Sequence, residues 1–226
     1  MKRAASIEAL LRKAKQDSSS LKAAYEASLH EKHVREDLKV AIKNIFENLR
    51  SCLDYMAQDI FDAHSSAAKK PDRLYFPIRS TPVEFSTAVT RDFPGLTASS
   101  QAVVAAMEAA QPYRDPWLGQ FDKVNNLNKH QDLVEQTRTE VRHVTVSRGG
   151  GSVSWGPGVT FGAGVSVMGV PIDPRTQMPV PNNEVRTEVQ IWVDFRFKEI
   201  DQPVLSFVEL SQVRVESLFS SLRSVV

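Results

Sequence analysis

Between Leu38 and Ile60 the apolar residues return at steps of three and four: Leu38, Ile42, Ile45, Leu49, Cys52, Leu53, Met56 and Ile60. On a period of 3.6 residues these positions form one stripe, so residues 35–64 are expected as a long helix with one face in a core. The polar stretch before it, residues 6–30, reads as a mixed helix that Asp17-Ser-Ser-Ser20 bends or recaps. After it, three prolines between 69 and 82 break the period and predict a connecting loop with a short extended piece, LYFPI. Thr81 before Pro82 is a helix start, and residues 97–109 are helical with Thr97 as the N-cap. QPYRDP at 111–116 is a turn, and Asp115-Pro116 opens a helix over 117–136 that buries Trp117, Phe121, Val124, Leu127 and Val134.

The chain changes character near residue 139. Eight of its ten glycines fall between Gly149 and Gly169, and the patterning there shortens to alternation. Residues 184–199 alternate strictly, with Val185, Thr187, Val189, Ile191, Val193, Phe195 and Phe197 on one face. The other face carries charged and polar groups plus Trp192. That is one long antiparallel strand with a dry and a wet side. Residues 139–147, 153–155, 159–161 and 165–167 supply shorter strands, residues 171–183 a proline-rich loop. A last helix follows Pro203 to about Leu222 and buries Leu205, Val208, Val215, Leu218 and Leu222. The expected fold is α+β: a helical bundle (1–138), an antiparallel β-sheet inserted at 139–199, and a C-terminal helix (200–226) packing back on the bundle.

Composition limits the function. Twenty-eight Lys and Arg against 27 Asp and Glu give a net charge of +1, which excludes the strongly basic balance of a dedicated nucleic-acid binder. A lone cysteine, Cys52, permits no internal disulfide or cysteine metal cluster and suits a reducing cytoplasm. The first twenty residues hold no apolar core of a secretory signal, and no run approaches the ~18 apolar residues of a membrane span. A cytoplasmic protein without a membrane partner or cofactor is expected.

Four groups of residues could carry chemistry. Arg50 and Asp54 stand four apart on the long helix, off its stripe, where they form a surface pair, a buried pair or part of a groove. Lys129 and His130 close the cluster NNLNKH; His130 lies at the edge of the apolar stripe and suits proton transfer near neutral pH. Asn125, Asn126 and Asn128 are placed to orient it, or to bind a phosphate or amide. Arg138 and His143 fit the R-x4-H spacing of HEPN-superfamily ribonucleases, but His143 falls in a β-patterned segment where that motif requires a helix. His30 and His33 have the spacing of a helical metal pair, yet no third ligand is assigned to them, and no metal site is expected. The glycine cluster RGGGSVSWGPG leads into no G-K-[ST] and reads as hairpin turns. No G-x-S-x-G nucleophile motif occurs.

NLRSCLDYMAQDI, YFPI and QPYRDPW…NNLNKHQDL together resemble a widespread bacterial family without an assigned activity. Its members show N-L-R-S-x-L-D-Y/H-L-A, then F-P-I, then Q-P-Y followed by L-x-x-L-x-x-x-D-K-H-R. The resemblance covers residues 40–135 and puts Arg50, Asp54, Lys129 and His130 on the family's recurrent polar positions. This chain departs from it at Asn128, where the family has Asp, and at Gln131, where it has Arg. The helical part is distantly similar to HEPN-type bundles. That likeness implies a metal-independent ribonuclease of a toxin or defence system: Arg50 and Lys129 neutralise phosphate, His130 is the acid–base group, and Asp54 and the asparagines position it. Residues 1–50 carry eleven Lys/Arg against seven Asp/Glu, an excess that tolerates RNA. The competing expectation is a binding or structural protein. There the same Arg/Asp–Lys/His cluster is a polar network between two core helices, and the sheet, with Trp192 between Arg186 and Arg196, meets a protein partner or a second copy.

Overall fold

The computed structural model describes residues 1–27, 35–67, 69–130, 133–156 and 158–226. Within these ranges the side chains of 27, 129, 130, 138, 141 and 190–193 lie outside the description. The fold is α+β: a helical bundle followed by antiparallel strands and a last helix. The described chain forms two compact units, one of residues 1–137 with 196–226 and one of residues 138–195.

The first unit is built on α2 (Glu36–His64), whose whole predicted stripe is buried. Phe46, Ala57, Asp59 and Phe61 widen the buried face beyond the stripe. α1 (Ala4–Ala27) is one uninterrupted helix, so Asp17-Ser20 does not break or recap it. Ser19 and Ser20 donate their hydroxyls to the carbonyls of Lys15 and Gln16, which satisfies them inside the helix instead of breaking it. Ile7, Leu11, Ala14, Ser18, Leu21 and Tyr25 are buried at alternating steps of four and three, a seam of coiled-coil type. The seam runs antiparallel to α2: Arg3 meets Asp59, and the Cys52 thiol donates to Ile7 O, while residues 20–24 lie beside residues 37–41. Burial pushes that thiol up to about 12.

Beyond α2 the chain turns through an irregular segment in which Leu74, Phe76 and Pro77 are buried and Tyr75 is 55% exposed. α3 (Pro82–Asp92) starts where expected, with Thr81 Oγ1 accepting from the Glu84 amide. Residues 97–109 are not one helix. Gly95, at φ +87°, leads into a single turn, α4 (Leu96–Ser99), and α5 (Gln101–Ala109) restarts with Ser100, not Thr97, as its cap. A side chain on Gly95 would meet Ser66 Oγ at 2.7 Å, so both the backbone angle and the space call for glycine. α6 (Trp117–His130) opens at Asp115, whose Oδ1 accepts from the Trp117 amide and whose Oδ2 meets Arg214 at 2.7 Å. α6 ends at His130, six residues short of the expected end. Trp117, Phe121 and Val124 are buried as expected, whereas Leu127 is half-buried and Leu118, Asn125 and Asn128 take its place.

α7 (Val204–Arg223) returns to the bundle. Phe46 is the hub of the core: its ring stacks on Phe121 at 5.2 Å and Phe207 at 6.0 Å and meets Phe197 edge-on at 6.1 Å. One aromatic side chain thus ties α2 to α6, α7 and the end of the last long strand.

The strands are β1 (Gln136–Arg148), β2 (Gly151–Trp155), β3 (Ser166–Val167), β4 (Val170–Asp173), β5 (Met178–Pro179), β6 (Arg186–Phe197) and β7 (Gln202–Pro203). One sheet has the order β2-β1-β6-β7; the other is a small β3-β4-β5 meander. Two expectations fail here. Residues 159–161 form no strand, and the proline-rich stretch 171–183 contributes strand residues in β4 and β5. On the expected dry face of β6, Phe195 and Phe197 are buried and Thr187 and Val189 are exposed, while the side chains of Ile191 and Val193 lie outside the described residues. β1 and β2 join through Gly149 and Gly150, at φ +57° and +85°, a tight type I′ turn. Val144, Val146, Trp155 and Ile172 make the second unit's own small core.

Candidate functional site

Arg50 and Asp54 lie one turn apart on α2, their side chains 12% and 18% exposed, so this is not a solvated surface pair. Arg50 Nε donates to Asp54 Oδ2 at 3.3 Å and Nη1 to Asp122 Oδ1 of α6 at 3.2 Å. Its Nη2 reaches Asp54 Oδ1 at 3.2 Å and donates to the Phe76 carbonyl at 3.4 Å. Asp54 Oδ1 in turn accepts from the Phe76 amide at 3.0 Å. The backbone of one residue is therefore held at both its polar groups by a single ion pair. The exposed ring of Tyr75 lies over the Arg50 guanidinium, 5.9 Å from it. On the α6 side, Asn126 Nδ2 donates to Asp122 Oδ2 at 2.9 Å.

A second set of bonds holds the same loop two residues on. Gln111 is fully buried; its Oε1 accepts from the Arg79 amide at 2.9 Å. Its Nε2 donates to Pro77 O at 2.9 Å and to Met107 O at 3.1 Å. The three signature stretches thus meet in one structure. NLRSCLDY supplies Arg50 and Asp54, YFPI supplies the backbone they hold, and QPY supplies Gln111.

Of the expected site residues, the structure brings Arg50 and Asp54 together. Asn125 and Asn128 are 1% and 6% exposed, on the buried face of α6 with Phe121 and Val124. Asn128 Oδ1 accepts from the Val134 amide at 3.0 Å, so its side chain fastens the chain leaving α6. Asn128 Nδ2 and Asn125 Oδ1 are buried without hydrogen-bond partners among the described residues. Lys129 and His130 end α6, and their side chains lie outside the described residues, as do the side chains of Arg138 and Trp192 and the whole of His30 and His33. His143 stands on β1 and packs where a side chain on Gly156 would be, so the R-x4-H spacing falls on a strand.

Asp122, Gln111 and the Phe76 backbone are the participants that patterning misses, whereas Asn126, singled out with Asn125 and Asn128, is found bonded to Asp122. Asp122 and Asn126 carried a signal, since they are four apart on one helix, but periodicity does not say which polar face of α6 meets α2. Gln111 stood in the Q-P-Y signature.

Chemically, the guanidinium fork is directed at two carboxylates and a carbonyl. A phosphate at Arg50 would have to displace both aspartates, and the three charged groups sum to −1. Among the described residues no three His, Cys, Asp or Glu side chains are grouped to hold a metal ion. The groove of about 510 Å³ between α1 and α2, lined by Lys13, Asp17, Leu21, Leu38, Asn44 and Asn48, contains none of the expected site residues. No described helix is long and apolar enough to cross a membrane. Comparison of the chain with protein-family models, with curated proteins and with solved structures finds no match.

Proposed function

We propose that this chain is a cytoplasmic binding or structural protein of bacterial type whose Arg50–Asp54–Asp122 cluster is a loop clamp. The observation that carries this reading is the capture of Phe76 at both N–H and C=O by Arg50 and Asp54. A residue pair used in this way holds a backbone in one conformation, and all three guanidinium nitrogens already have protein partners. The clamp holds Tyr75 in place, an aromatic ring on an arginine, which is the kind of side chain that anchors protein contacts. The family resemblance belongs to the same proposal, since its signature stretches are the parts of the clamp.

The ribonuclease reading makes a different demand, that Arg50 and His130 serve one reaction. An RNA-cleavage assay of the wild type beside Arg50→Ala and His130→Ala, with folding followed by circular dichroism, separates the two. The clamp predicts no cleavage by the wild type and a lowered unfolding midpoint for Arg50→Ala. Cleavage by the wild type that disappears in both well-folded variants would establish the enzyme instead.

A further inference from the structure

β2 is an edge strand of the four-stranded sheet, and Gly151 through Ser154 are all exposed. Edge strands in stable monomers are shielded by charge, proline, a bulge or a covering element. The described residues of β2, Gly-Ser-Val-Ser-Trp, have no charge and no proline. Val153 makes the point most directly. It lies on the same face as Val144, Val146 and Trp155, which are 2%, 0% and 6% exposed, yet it is itself 41% exposed at the sheet's edge.

The register determines which backbone groups face outward. Arg148 and Gly151 flank a two-residue turn and form a hydrogen-bonded pair, so Val146–Val153 and Val144–Trp155 do too. Ser152 and Ser154 therefore direct their N–H and C=O groups away from β1.

We infer that β2 pairs antiparallel with β2 of a second copy of this chain, about a two-fold axis at Val153. In that register Ser152 exchanges two hydrogen bonds with Ser154 of the second copy, and the symmetric pair adds two more. The two Val153 side chains meet as a non-hydrogen-bonded pair, and the dry faces of both sheets become continuous. Trp155 comes opposite Gly151, where the Met168 methyl group occupies the space a side chain would take. No like charges face each other, and a two-fold arrangement closes after two copies. This surface belongs to the second unit and does not depend on the clamp.

The test is made on the full chain. Sedimentation over a concentration series should show the mass rising from 25.2 kDa toward twice that value. Val153→Cys places two thiols at the separation of a non-hydrogen-bonded pair, about 4.5 Å between Cα atoms, within disulfide range. The native Cys52 is buried, so mild oxidation should link Val153→Cys into dimers about tenfold faster than Ser224→Cys, an exposed control. Adding Ser154→Pro removes the outward N–H, together with the exposed Ser154–Thr145 hydroxyl contact within the hairpin, and should abolish both the link and the mass increase with the circular dichroism unchanged. Val153→Lys, which sets like charges across the axis, should do the same to the mass if the proline variant fails to fold. A mass that stays at 25.2 kDa up to about 1 mM, or Val153→Cys linking no faster than Ser224→Cys, overturns the inference.

Discussion

Asp59 is the charged residue whose surroundings are most demanding. Its side chain is 1% exposed, and Arg3 meets it twice, through the backbone N–H at 2.9 Å and through Nη1 at 2.6 Å. The same guanidinium reaches Asp62 at 2.9 Å, where Lys70 also binds. Burial alone would raise the Asp62 carboxyl, but the hydrogen bonds from Lys70 and Arg3 outweigh it and hold that carboxyl below the ordinary range. A buried carboxylate deprived of its cation is costly, so Arg3→Ala should lower the unfolding free energy by about 3 kcal/mol, with Arg3→Lys recovering part of the loss. Urea denaturation checks this, and an unchanged midpoint would mean that Asp59 finds its compensation elsewhere. Asn128 shows a different economy. What the structure uses is one side-chain oxygen, for the Val134 amide. Asp at this position would carry the same acceptor.

At the level of elements, the irregular segment 74–79 is held chiefly by side chains from outside it, Arg50 and Asp54 of α2 and Gln111, beside its own Arg79 Nη1 to Ile78 O bond. Gln111→Ala removes an acceptor from Arg79 N–H and a donor from Pro77 O in a fully buried place. The loss should be about 2–3 kcal/mol, the cost of stranding buried backbone groups. Gln111→Glu, which keeps the acceptor and loses the donor, should not restore stability; full recovery in thermal unfolding would show that the donor bonds are idle. α2 was legible from its period of 3.6, α7 from its period after Pro203, and α3 and the start of α6 from Thr81-Pro82 and Asp115-Pro116. The continuous α1 was not, because Ser19 and Ser20 satisfy their hydroxyls within the helix, an outcome composition does not distinguish from a break. Asn128 reaches six residues ahead to the Val134 amide, a contact with no periodic trace. β4 and β5 were hidden in a proline-rich stretch because strands of four and two residues carry too few alternations to read. Of the site, Arg50 and Asp54 stood out by spacing and by resemblance. Their true target, a backbone amide and carbonyl, has no sequence signature at all.

Over the whole molecule, the larger unit organises around Phe46, and the smaller has a core of four buried residues. All three signature stretches lie in the larger unit, and their named contacts converge on residues 76–79. The long helix α2 and the Q-P-Y turn are thus joined through one loop, and Asp122 ties α6 to the same cluster through Arg50; on the proposed reading Arg50 and Asp54 serve architecture. Hydrogen exchange at the Phe76 amide, followed residue by residue in the intact chain, tests this most directly. With Asp54 in place the amide should be protected. In Asp54→Ala it should exchange at least tenfold faster, about 1.4 kcal/mol of lost protection, while amides at Leu49 and Met56 keep their rates relative to global unfolding. Unchanged protection of Phe76 in a folded Asp54→Ala variant would contradict the clamp.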